Sequence, residues 1–138
     1  DSYALPHPHR ELGKPDSSPV GVVEEANMFE VQVVAREMVK TVKPIMDRVK
    51  DAEVKDQLRR ASVSVLLNIA EGNARKGKDK LNRFAMAEGS ARESVEAVWT
   101  AIGWGYVTEE EAATLLSLLD RVIAMLVRLR FPRTKPSS

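Results

Sequence analysis

Asn68, Glu71 and Glu93 are the residues of this chain that come nearest to a catalytic set. Two carboxylates and a carboxamide can exchange protons and orient a carbonyl, which is the chemistry of general acid–base catalysis. The usual supporting groups are missing. The two histidines, His7 and His9, sit in a proline-rich stretch ahead of any periodic pattern, and the 138 residues contain no cysteine. Imidazole catalysis in the body of the chain, thiolate zinc sites, cysteine nucleophiles and disulfides are thereby excluded. No GxGxxG, P-loop, HExxH or CxxC pattern occurs. We therefore expect no catalytic residue, no metal and no cofactor, and read Asn68, Glu71 and Glu93 as a hydrogen-bond network between helices. Glu88 falls inside an otherwise apolar helical arc. It must reach water at an edge, meet an Arg or Asn partner, or serve in catalysis, because an unpaired buried carboxylate is costly.

Charge offers a second kind of chemistry. The total is nearly balanced, 21 basic against 20 acidic residues, so bulk charge makes no case for nucleic-acid binding. The distribution is uneven: residues 55–83 carry 8 basic and 3 acidic groups, and residues 128–138 carry 4 and 0. Arg75, Lys76, Lys78, Lys80 and Arg83 lie within nine residues, and Arg128, Arg130, Arg133 and Lys135 form a basic tail. Repeated around an oligomer, either zone makes a positive surface suited to phosphate backbones of RNA or DNA. A solvated lysine-rich loop kept for solubility is the plain alternative. Trp99 reads as a core residue, and Trp104 and Tyr106 as helix-end packing, so stacking platforms for bases are scarce.

These residues need elements to hold them, and the apolar spacing is helical from Val22 onward. Residues 1–21, with Pro6, Pro8, Pro15 and Pro19, read as a non-helical arm. A first helix is predicted over 23–50, with Val31, Val34, Met38, Val42, Ile45 and Val49 on one stripe, kinked at Pro44 or broken at Val42–Lys43. A second is predicted over 52–72, with Asp51 as N-cap and Gly72 in the left-handed closing position. A third, over 78–104, has Leu81, Phe84, Ala87, Ala91, Val95, Val98, Trp99 and Ile102 as its core arc, with the small residues Ser90, Ser94, Ala97 and Ala101 beside it. A fourth begins with the capping box Thr108–Glu111 and ends near Arg130, before Pro132. Short connections imply an all-α, antiparallel up-down-up-down four-helix bundle over 22–131, followed by a basic tail over 132–138. The basic loop after the second helix and the end of the fourth are expected at opposite ends. The second and fourth helices are apolar on two sides, Val63, Leu67 and Ala70 forming the extra side of the second, so a homo-oligomer is expected.

The run from Leu58 to Gly72, above all Asn68-Ile69-Ala70-Glu71-Gly72, together with Gly89-Ser90-Ala91-Arg92-Glu93 and the turn Gly105-Tyr106-Val107 before Thr108, resembles the four-helix-bundle proteins encoded in intervening sequences of 23S ribosomal RNA genes. The resemblance covers about residues 40–128 and makes Arg60, Asn68, Glu71, Gly72, Gly89, Ser90 and Glu93 its motif residues. It implies a homo-oligomer, commonly a five-fold ring, with no established enzymatic activity. More distantly, the architecture is similar to the accessory variability protein of diversity-generating retroelements, which binds a reverse transcriptase and nucleic acid. Function is then expected to be either nucleic-acid binding or a scaffold for a protein partner such as a reverse transcriptase. No apolar run approaches the ~20 residues that span a bilayer, and the lack of cysteine suits the cytoplasm.

Overall fold

The computed structural model describes residues 18–132, so the expectations for the arm over 1–17 and for Arg133 and Lys135 lie outside it. Four helices follow one another: α1 (Pro19–Arg48), α2 (Ala52–Asn73), α3 (Gly77–Gly103) and α4 (Glu109–Arg130). Each packs chiefly on two neighbours, α1 on α2 and α4, and α3 on the same pair. The result is the antiparallel four-helix bundle that the short connections require.

Local sequence accounts for most helix ends. Asp51 Oδ1 accepts the Val54 N–H at 3.0 Å and opens α2. Thr108 and Glu111 exchange both bonds of the capping box at 3.1 and 3.0 Å and open α4. The first helix starts earlier than its periodicity indicates, so residues 19–21 are not part of a non-helical arm. Ser18 Oγ accepts the Gly21 N–H, and Pro19 occupies the first turn, where its missing N–H costs nothing. α1 then runs through Pro44 unbroken to Arg48.

The interior is lined by Val31, Val34, Met38, Val42, Ile45 and Val49 of α1, which form the predicted stripe, all buried. Leu58, Val65 and Ile69 of α2, Phe84 and Val98 of α3, and Leu115, Leu119, Val122 and Leu126 of α4 complete it. α3 is rotated from the expected face. Leu81 and Trp99 are exposed, whereas Ser94, Ala97 and Ala101 are buried together with Ala87 and Ala91. The small side chains let α2 and α3 approach closely, and Ser64 Oγ meets Ser90 Oγ across that seam at 2.8 Å. A helix presenting bulky residues at the seam could not pack so near, so the bulky edge turns outward. Trp104 is likewise exposed, whereas Tyr106 packs partly against the core.

Gly72 does not adopt the closing conformation expected of it. It lies inside α2, and the only positive-φ residues among those described are Gly77 and Gly105. Its role is close approach: a β-carbon there would lie 2.5 Å from Phe84 Cε1 and 2.7 Å from Cδ1. Gly77, at φ 61°, supplies the left-handed residue that turns the chain from α2 into α3.

The expected separation of the two basic zones is also incorrect. α3 leaves the end at which α2 finishes and α4 returns to it, so the α2–α3 loop, the start of α1 and the end of α4 share one end of the bundle. Long-range contacts agree: Asn73 Nδ2 donates to Gln32 Oε1 at 2.9 Å near that end, and Arg48 pairs with Glu111 at the other.

Candidate functional site

The shared end collects most of the predicted cations. Lys76 and Lys78 are exposed in and just after the α2–α3 loop. Lys80 Nζ donates to Met28 Sδ of α1 at 3.3 Å, and among the described residues its charge has no carboxylate partner. Arg75 is engaged locally, donating from Nε and Nη2 to Glu71 Oε2 at 3.2 and 3.1 Å, with Asp79 at 3.9 Å. Arg83 is half-buried and has no ion pair among the described residues. Arg128 is exposed on α4.

Arg130 has a different role from the one its place in a basic tail indicates. Its Nη1 donates to Glu88 Oε1 at 2.6 Å, while Arg92 Nε donates to Glu88 Oε2 at 3.1 Å. The guanidinium also lies 4.9 Å from the centroid of the Phe131 ring. Glu88, only 14% exposed, thus meets two arginines, which is the paired outcome among those open to it.

A groove of about 550 Å³ runs along α2 and α3 below this end. Val63, Leu67 and Met86 line it, and Arg59, Arg60, Arg75 and Arg83 surround them. Most motif residues gather on or beside it. Asn68 Nδ2 donates to Ser64 O and Oγ at 2.9 and 3.0 Å within its own helix. Glu71 pairs with Arg75, and Glu93 accepts from Gln57 Nε2 at 3.2 Å across the helix pair. Gly89 is exposed, with open space beside it. The links between α2 and α3 here are therefore Ser64–Ser90 and Gln57–Glu93, while Asn68 bonds within α2 and Glu71 to Arg75 in the loop that follows it. Arg59 Nη2 and Arg60 Nε both reach Asp56, at 2.6 and 2.9 Å. The hydrogen bond from Arg59, reinforced by the charges of both arginines, holds the Asp56 carboxyl below its ordinary range.

The sequence pointed to Arg60, Arg75, Arg83 and Leu67 for separate reasons and not to Arg59 or Met86, and it brought none of them together in one groove. The excess of basic residues over 55–83 and the second apolar side of α2 were the available signals. Their convergence depends on how α3 lies against α2. A second groove, of about 750 Å³, follows α4 between Trp99, Leu116 and Met125. Among the described residues no group of three acidic or histidine side chains is placed to hold a metal, and no helix is long and apolar enough to cross a membrane.

Comparison with known proteins bears on the whole bundle. The model of the family described as 23S rRNA-intervening sequence protein matches residues 27–128. A crystal structure from Bacteroides thetaiotaomicron VPI-5482, described as a protein with unknown function from the S23 ribosomal protein family, is similar at a TM-score of 0.62 and 20% identity. The match covers 79% of this chain and 96% of that one, and at this identity it shows a shared fold. No curated protein matches the chain.

Proposed function

Because the chain belongs to the 23S rRNA-intervening sequence protein family, we propose that it is a non-enzymatic, homo-oligomeric helical bundle, arranged as a five-fold ring, that binds nucleic acid in the cytoplasm. The observation that carries the binding half is the meeting of two basic zones at one bundle end, where Lys76, Lys78 and Lys80 have no carboxylate partner among the described residues and Arg128 is exposed at the same end. Copies arranged around an axis would repeat that end into a positive annulus. Phosphate backbones bind such surfaces by releasing counterions, so affinity falls steeply with salt. Arg130 contributes less, because Glu88 already holds it.

The test is fluorescence anisotropy of the purified protein with structured ribosomal RNA, single-stranded RNA and duplex DNA at two salt concentrations. Binding that weakens with salt and disappears in a Lys76→Glu/Lys78→Glu/Lys80→Glu variant of unchanged oligomeric mass supports the proposal. No binding at low salt overturns it. A second reading, a scaffold for a protein partner such as a reverse transcriptase, is favoured by the exposed Trp104 and Phe131 near opposite ends of the bundle. That reading predicts partner binding unaffected by the three charge reversals.

A further inference from the structure

α1 carries two apolar stripes, and its own bundle uses only one. Val31, Val34, Ala35 and Met38 are buried against α2 and α4. Val22, Ala26, Phe29 and Val33 form a second stripe at spacings of four, three and four, and all are exposed, Phe29 at 69%. At 100° per residue these four fall within about 60° of one another, a narrow seam of the kind one helix offers another. Residues 19–35 contain three glutamates and no basic residue. Glu25 and Glu30 flank the seam, and Glu30 is only loosely engaged, 4.0 Å from Arg121 at the surface.

The groove on α2 and α3 is the counterpart of this stripe. Val63 and Leu67 of α2 and Met86 of α3 supply its apolar lining. Around the groove stand Arg59, Arg60, Arg75 and Arg83, against which Asp56 and Glu71 supply the local acid. Apolar lining and opposite charge sign therefore match between a face of α1 and a face of α2–α3 in the same sequence.

We propose that the Val22–Val33 stripe of one copy docks in the α2–α3 groove of a second copy, its glutamates facing the groove's arginines. This rests on the homo-oligomer proposed above and adds which faces meet. Two different faces are joined, so the contact is head-to-tail. Every copy keeps one stripe and one groove to offer, and the assembly grows until rotation closes it.

The experiment measures solution mass by light scattering, with circular dichroism checking helicity. Phe29→Arg sets a cation against the arginine groove, and Val63→Glu sets an anion against the acidic stripe; both residues are exposed, so the bundle core is untouched. The expected result is that each variant is monomeric alone and that an equimolar mixture forms a heterodimer and nothing larger, because the Val63→Glu copy keeps an intact stripe and the Phe29→Arg copy an intact groove. Glu25→Lys and Arg60→Glu repeat the test with surface charges only, and each should weaken association at least tenfold. An oligomeric wild type whose mass neither variant changes overturns this interface and leaves the oligomer standing. Monomeric variants that do not reassociate when mixed also overturn it. A monomeric wild type removes the homo-oligomer itself and leaves the groove to an acidic helix of another protein.

Discussion

Arg130 and Glu88 join α4 to α3 through a 2.6 Å charge-assisted hydrogen bond between residues 42 apart in sequence. Both side chains are largely withdrawn from water, at 25% and 14% exposure, unlike the surface ion pairs elsewhere in the bundle. A cation at the end of α4 also complements that helix's dipole.

Arg130→Ala should destabilise the fold by about 1–3 kcal/mol, because Glu88 would be left to the more exposed Arg92 alone. Glu88→Ala combined with Arg130→Ala should cost less than the two single changes added together, since the double variant strands no charge. Urea unfolding of the four proteins measures this coupling, and strict additivity would count against it.

Gly72→Ala should cost about 1–3 kcal/mol by overpacking. The new methyl group would press on the ring of Phe84, which is only 1% exposed and has no open side to turn toward. Adding Phe84→Leu removes the obstructing ring atoms, so Gly72→Ala should cost much less in that background. Thermal unfolding of the single and double variants checks this. An equal cost in both backgrounds would assign Gly72 to backbone conformation instead.

The shared bundle end has a consequence for nucleic-acid binding. Lys78→Ala and Arg128→Ala come from separate zones, yet each should lower the salt slope on duplex DNA by about 0.9 log units if it loses one phosphate contact, and the two losses should add. Anisotropy titrations across a salt series measure the slopes. A change from only one of the two would restrict the interface to one zone.

Acid should weaken the start of α4. The Thr108 backbone N–H, followed by the other bonds of the box and by Arg48, holds the Glu111 carboxyl below its ordinary value of 4.5. A depressed carboxylate contributes stability that is present above its unfolded pKa and is lost as pH falls through the lower folded value. Stability should therefore decline below about pH 4.5, and Glu111→Gln should flatten part of that decline. Thermal melts from pH 7 to pH 3 test this, and an identical acid limb in the variant would exclude Glu111 as a source.

Features governed by neighbours a few residues away were legible in the sequence. The α1 core stripe, the Asp51 cap and the Thr108–Glu111 box all follow from helical periodicity or from bonds spanning three residues. The basic zones could be counted in the same way. What the sequence left open depends on the rotation and approach of whole helices. Phe84 turned Gly72 from a helix terminator into a packing position. The close α2–α3 seam buried Ser94, Ala97 and Ala101 and pushed Leu81 and Trp99 outward. The partner of Glu88 came from another helix. The groove exists only because α3 brings Arg83 and Met86 beside Val63 and Leu67. Periodicity sets which side of a helix is apolar, but when two sides qualify, only the packing of neighbouring helices decides which one is buried.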